Sequence, residues 1–170
     1  CLPRVEEKIV GPDGGRLPVG ADGEICIRGP NVMAGYYKDP EATAAVFDDE
    51  RYFKTGDMGR LDEDGHLFIT GRIKEMLIIG GENVFPREVE DLIAGRDDVE
   101  EVAVIGVSDP EWGQRLKAFV VLKPGAALDE DDVKACVKQS LASYKVPREV
   151  AFIDALPRNA TGKVLRRQLS

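Results

Sequence analysis

The sequence predicts an α+β fold on three observations. The first half is built of short alternating segments separated by Gly, Pro and Asp clusters, the grammar of β-hairpins. Two continuous apolar runs of strand length, Val102 to Val107 and Ala118 to Leu122, read as central strands of a covered sheet. Helices are expected after Asp39, from Pro86 and after Asp129.

In chain order, Val5 to Val10 is strand-like and turns at Gly11-Pro12-Asp13-Gly14-Gly15. Glu24 to Arg28 alternates as a half-buried strand. Asp39 as N-cap and Pro40 at the first helical position open a short helix to about Phe47. Met58 to Leu61 pairs with His66 to Thr70 across Asp62-Glu63-Asp64-Gly65. That turn is not a calcium loop. With Gly65 at the invariant glycine, Arg60 falls on the first ligand position and Gly71 on the bidentate glutamate. Glu75 to Ile79, the turn Gly80-Gly81-Glu82-Asn83 and Val84-Phe85 form a further hairpin. Val89, Leu92 and Ile93 stripe the helix from Pro86. Asp129 caps a helix whose Glu130-Asp131-Asp132 start suits the helix dipole, with Val133, Cys136, Val137 and Leu141 towards a core. Val150 to Ile153 is a last strand, and a terminal helix is expected over Gly162 to Leu169. The grammar changes at Gly71-Arg72-Ile73-Lys74 without a Ser/Pro linker, so the junction reads as a hinge rather than a tether.

Composition bounds the function. The 170 residues are 43% apolar and 32% charged, the balance of a globular protein. No apolar run approaches the roughly 20 residues of a membrane helix. A net charge of −8 disfavours nucleic acid and anionic membranes as partners, and any phosphate-bearing ligand would need local positive charge. Cys1, Cys26 and Cys136 are odd in number and scattered, which argues against disulfides and zinc and fits a reducing cytoplasm. Cys1-Leu2-Pro3-Arg4 has neither an initiator methionine nor a signal peptide, so a cut inside a longer protein is expected.

The candidate with the most chemistry is Lys163, in Pro157-Arg158-Asn159-Ala160-Thr161-Gly162-Lys163. A lysine behind Thr-Gly combines flexible backbone with a point charge on a long stem, which suits delivery into an active site from outside. A phosphate loop is excluded, because it needs glycine where Pro157 stands and a hydroxyl where Val164 stands. On the residues alone, a solvated helix start remains open. Asp57 in Thr55-Gly56-Asp57 reads alone as a turn residue, and Arg72 as a surface ion-pair partner. Trp112 reads as a packing residue under a loop, and His66, the only histidine, as solvent-facing.

Three stretches in order change this reading: Tyr52-Phe53-Lys54-Thr55-Gly56-Asp57-Met58-Gly59, Gly71 to Glu90, and Pro157 to Leu169. With Gly23 to Pro30 and Gly35-Tyr36-Tyr37, they resemble the late motifs of the adenylate-forming superfamily, which includes acyl- and aryl-CoA synthetases, peptide adenylation domains and luciferases. Gly80-Gly81-Glu82-Asn83-Val84-Phe85-Pro86 resembles the CoA-ligase form, of fatty- or aryl-acyl type. The resemblance implies that residues 1–73 are the β-rich end of a large adenylation domain. Residues 74–170 would be a small mobile C-terminal domain with a central sheet covered by helices, hinged near Lys74.

The chemistry implied has two half-reactions, with ATP, Mg2+, a carboxylic acid and coenzyme A as reactants and no tightly bound cofactor in this piece. Lys163 would be the catalytic lysine of adenylation, lying between α-phosphate and carboxylate. Asp57 would accept hydrogen bonds from the ribose hydroxyls, with Arg72 near the ribose or phosphates. Gly80 and Gly81 would line a pantetheine tunnel, and Lys145 would meet a CoA phosphate or remain solvated; Glu82 and Asn83 are further candidates. No metal ligand is assigned. The phosphate-binding loop, the adenine-side and magnesium contacts and the acyl pocket are not among these residues, so the piece alone is expected to be inactive. Two alternatives stay open: an acyl-AMP ligase loading a carrier protein, and a non-catalytic interaction module. Pro-x4-Gly-Lys also resembles sites modified by lysine acetyltransferases, which would delete the charge of Lys163.

Overall fold

The computed structural model describes residues 4–169, so Cys1 lies outside the described residues. The chain divides into two compact units between Lys74 and Glu75.

The N-terminal unit is a four-stranded antiparallel sheet, β1 (Glu6–Val10), β2 (Gly23–Arg28), β3 (Phe53–Leu61) and β4 (Leu67–Arg72), in that spatial order. Helix α1 (Pro40–Val46) connects β2 to β3, and Asp39 caps it by accepting a hydrogen bond from the Ala42 amide at 2.9 Å. The core is small, with Val10, Cys26 and Tyr52 at its centre. Lys8 and Arg28 lie over the Tyr52 ring at 4.3 and 4.5 Å, and the ring hydroxyl donates to Glu6. Burial pushes the Cys26 thiol up to about 11, so it packs as an apolar side chain.

Thr55-Gly56-Asp57, read from sequence as a turn, lies inside β3 as a bulge. Cys26 pairs with Lys54 and Glu24 with Met58, so three residues of β3 oppose Ile25 alone. Gly56 takes a positive φ of 71°, its amide donates to Glu24, and the Thr55 hydroxyl donates to the Ile25 carbonyl. The local turn signal is satisfied within the ladder.

The C-terminal unit opens with a hairpin of β5 (Leu77–Ile79) and β6 (Glu82–Val84), then helix α2 (Pro86–Ala94). A three-stranded sheet follows: β7 (Val99–Asp109) antiparallel to β8 (Gly113–Leu122), and β8 parallel to β9 (Glu149–Phe152). The parallel step needs a crossover, which helix α3 (Glu130–Ser140) supplies. Asp129 and Asp132 form a reciprocal capping box at its start.

Alternation along the strands gives this sheet two covered faces. Val104, Leu116, Ala118 and Val120 pack with Val89 and Ile93 of α2, Val133 and Val137 of α3, and Ile79 and Val84 of the first hairpin. Ala103, Phe119 and Val121 point to the other face and pack with Leu156, Leu169 and the partly buried Val164. Complete burial of each such aliphatic side chain contributes about 1.5–3 kcal/mol.

Two expectations need correction. The apolar run in β7 predicted a central strand, but β7 is at the sheet edge and only β8 is central. Its apolarity reflects burial on both faces. At its edge the Val104 amide donates to Glu90, and its carbonyl accepts from Arg166. The terminal helix over Gly162 to Leu169 is also absent. Val164 is bridged back to Arg158, and only Arg166–Gln168 forms a 3-10 turn. Gly162 at φ 83° starts no helix, and the residues left are too few to repay nucleation.

Candidate functional site

In the N-terminal unit, the β3 bulge and the last residues of β4 bring Asp57 and Arg72 together. They are direct partners across the ladder, with Arg72 Nε 2.8 Å from Asp57 Oδ1. Half of the Arg72 side chain is exposed, so solvent screening leaves the pair little stabilising value. Beside it is an open cavity of about 330 Å³ lined by Thr55, Gly56, Arg72, Ile73 and Lys74. Lys74 is exposed in the 3-10 turn Ile73–Glu75, the last residue before the division between the units. The residues that line this cavity include no carboxylate, and the neighbouring Asp57 is already engaged by Arg72, so they do not fit as a Mg2+ site. A larger open depression against Tyr36, Tyr37, Thr43 and Arg51 holds none of the sequence candidates.

His66 is exposed beside Asp62, with Nδ1 3.1 Å from Oδ2. Asp62, Asp64 and His66 hold ligand-type atoms within 4.8 Å of one another. Asp62 already accepts from the Asp64 and His66 amides, and the His66 amide is the main cause that lowers its pKa. This is a turn held by its aspartate.

In the C-terminal unit, Gly80 and Gly81 form the two-residue link between β5 and β6, with positive φ of 60° and 89°. Two positive φ values suit the right-handed twist of a tight hairpin. The glycines are not equivalent. A Cβ on Gly80 would lie 2.5 Å from Trp112 Cε3, whereas one on Gly81 would meet nothing within 4 Å. Trp112 therefore sits directly under Gly80 and fixes it, with the Gly80 amide donating to the Trp112 carbonyl at 3.3 Å. Asp109 fixes Trp112 in turn. Its carboxylate is 2% exposed, accepts from the Glu111 and Trp112 amides at 2.9 Å, and pairs with Arg148 and Arg115. The Trp112 amide is the main cause that holds the Asp109 carboxyl below its usual range.

Lys145 is not solvated. Its side chain is 17% exposed, Nζ donates to Glu88 of α2, and the ammonium lies 5.9 Å from the Tyr144 ring centre.

Lys163 is exposed, and Nζ has no acceptor among the described residues. Its backbone is held, against the flexibility expected behind Thr-Gly. Asn159 and Lys163 face each other across a tight turn: the Asn159 amide donates to the Lys163 carbonyl at 2.9 Å, and the Gly162 amide to the Asn159 carbonyl at 3.0 Å. Asn159 Oδ1 accepts from the Thr161 amide, the Thr161 hydroxyl and the Lys163 amide. Arg158 donates to the Gly162 carbonyl and pairs with Glu101. Beyond the turn, Arg166 makes a two-pronged ion pair with Glu90 at 2.5 and 2.9 Å, and this pair raises its pKa.

Asp57 with Arg72, Lys74 at the division between the units, the glycine hairpin and the lysine turn are thus all formed elements. The C-terminal two belong to opposite faces of one sheet: Ile79 and Val84 flank the glycines in one core, and Val164 follows the lysine in the other. Sequence reasoning missed Asn159, Asp109 and the Glu90–Arg166 pair. Asn159 three residues before Gly162 was a readable turn signal; the other two depend on distant partners.

Known proteins resemble this chain over nearly its whole length. The profile of the AMP-binding enzyme C-terminal domain matches residues 88–163, and that of the AMP-binding enzyme matches residues 1–37. The chain belongs to the adenylate-forming superfamily. Within that family, an octahydroindenyl-propanoyl:CoA ligase of Mycobacterium tuberculosis is 48% identical over 99% of this chain and 34% of its own length. A fatty acid–acyl-carrier-protein ligase of Streptomyces coeruleorubidus is 42% identical over 98% of this chain and 32% of its own. The solved structure of o-succinylbenzoate CoA synthetase from Bacillus subtilis, in complex with its acyl-adenylate intermediate, has 38% identity and a TM-score of 0.89, covering 99% of this chain and 34% of that one. The chain spans about a third of the length of the relatives it matches. No helix among the described residues is long and apolar enough to cross a membrane.

Proposed function

We propose that this chain supplies the nucleotide-side edge and the mobile C-terminal unit of an ATP-dependent acyl-CoA synthetase of the acid–thiol ligase class. The observation that carries this reading is the placement of an unpartnered lysine and a bare glycine turn on opposite faces of one sheet. One unit can then present either device to the same site by rotating about Lys74.

In the first half-reaction a carboxylate oxygen attacks the α-phosphorus of ATP, the bond to pyrophosphate breaks, and an acyl-adenylate forms. Both reactants are anions, and the Lys163 ammonium offsets their repulsion as charge gathers on the phosphoryl oxygens. Asp57 accepts from the ribose hydroxyls, while Arg72 orients its carboxylate through Oδ1. Mg2+ would arrive with the triphosphate. In the second half-reaction the CoA sulfur bonds to the acyl carbon, AMP leaves with the C–O electron pair, and the thiol proton passes to solvent. Gly80 and Gly81 offer backbone without side chains, so a narrow pantetheine arm can pass close to it. Lys145, already neutralised by Glu88, suits a CoA phosphate only if it exchanges partners.

The free thiols of Cys26 and Cys136 are compatible with a cytoplasmic enzyme. The exposure of Lys163 leaves it open to acetylation, which would remove the charge that adenylation needs. The chain alone is expected to be inactive.

The test is the full-length protein with ATP and a panel of carboxylic acids, following pyrophosphate release and thioester formation with CoA. Both products are expected. Acyl-adenylate that accumulates while CoA is ignored would overturn the CoA reading and favour a carrier-protein acceptor, as in the Streptomyces relative.

A further inference from the structure

We propose that Asn159 is a positioning residue for adenylation, holding the Lys163 backbone so that its ammonium starts from a fixed point. The inference rests on the reading of Lys163 as the adenylation lysine and concerns how that lysine is aimed. A lysine side chain has four rotatable bonds, so its reach is useful only if its root is fixed. Within this turn one side-chain atom accepts three of the six hydrogen bonds, two of them from backbone amides. Asn159 Oδ1 accepts from the Thr161 amide at 3.0 Å, the Thr161 hydroxyl at 2.8 Å and the Lys163 amide at 2.9 Å. These bonds span both sides of Gly162, whose φ of 83° brings the chain back towards Asn159. Asn159 is exposed and outside both cores, so its hydrogen bonding serves this turn rather than the packing of the unit.

An alanine at position 159 removes the three side-chain bonds. It leaves the two backbone bonds of the turn and the Arg158 contact with the Gly162 carbonyl, so the turn loosens without being lost. Misplacement by about 1 Å can cost up to roughly 100-fold in rate. For a turn that is loosened rather than broken, the expected loss is on the order of 10-fold in kcat for adenylation, with KM for ATP little changed.

The experiment measures pyrophosphate release by the full-length protein as wild type, Asn159→Ala, Lys163→Ala and the double variant, with amide hydrogen exchange at Lys163 followed in parallel. Asn159→Ala should lower kcat on the order of 10-fold and speed exchange of the Lys163 amide. In the Lys163→Ala background it should cost nothing further, because Asn159 acts through the lysine. An equal loss in both backgrounds would overturn the positioning role, as would wild-type kcat in Asn159→Ala alongside a crippled Lys163→Ala. If Lys163→Ala itself is unimpaired, the reading of Lys163 fails, and the positioning role fails with it.

Discussion

The lysine turn and the glycine hairpin are both exposed, both depend on positive-φ glycine, and both belong to the C-terminal unit. In the lysine turn the object presented is a side chain, and the backbone beneath it is held by acceptors inside the turn, chiefly Asn159. In the glycine hairpin the object is backbone itself, held from below by the Trp112 ring and, behind it, the buried Asp109 carboxylate. A flexible ammonium can adjust at its tip, so hydrogen bonds at its root suffice. A bare backbone surface cannot adjust, so it needs packed support. The two turns should therefore fail in different half-reactions and through different physical causes.

Lys163→Ala should have the largest effect, lowering adenylation on the order of 100-fold or more by removing a transition-state charge partner. Conversion of preformed acyl-adenylate to thioester should be largely spared. Gly80→Ala should do the reverse. Its Cβ would collide with Trp112 at a positive φ, so thioester formation should fall on the order of 10-fold and urea stability by roughly 1–3 kcal/mol. Wild-type stability in that variant would remove the packed-support half of the comparison.

Lys74→Pro bears on the rotation that would alternate the two turns. Proline at 74 pushes Ile73 out of the 3-10 turn and fixes φ at the junction. Thioester formation should fall several-fold while adenylation persists; unchanged thioester rates would take Lys74 out of the mechanism. Gly81→Ala keeps the positive-φ penalty but meets open space, so it should cost about 1 kcal/mol, less than its neighbour, in the same urea titration.

The smallest effect concerns pH. The Asp109 carboxyl is held below its ordinary value by the Trp112 amide. A lowered folded pKa gives stability that is present above the unfolded value of about 3.9 and is lost as pH falls through the folded one. Tm should thus decline more steeply below about pH 4 in wild type than in Asp109→Asn. Parallel declines would show that Asp109 does not support the hairpin through its charge.

What the sequence made legible follows the same division. Asp39 and Asp129 caps, the Gly80-Gly81 turn and the two sheet strands were readable because each signal is local and its periodicity short. The Asp57 bulge was hidden because Thr-Gly-Asp gives the same local signal as a turn, and it is held in a strand by residues distant in sequence, Ile25 and Glu24 on one side and Arg72 on the other. The missing terminal helix has a similar cause. Its helical pattern was overridden by the bridge to Arg158 and the pull of Arg166 towards Glu90, 76 residues away. For the candidate residues, sequence supplied the chemical type of Lys163, Asp57 and Arg72. Asn159 could be read as a turn residue, but its bonds to Thr161 and Lys163, the β3 bulge beside Asp57, and the Trp112–Asp109 support under Gly80 required the fold.

The central claim, that one unit carries a separate device for each half-reaction, is tested most directly by assaying both steps in full-length Lys163→Ala. Pyrophosphate release in the first step should fall on the order of 100-fold while thioester formation from supplied acyl-adenylate stays within about twofold of wild type. An equal loss in both steps would contradict it.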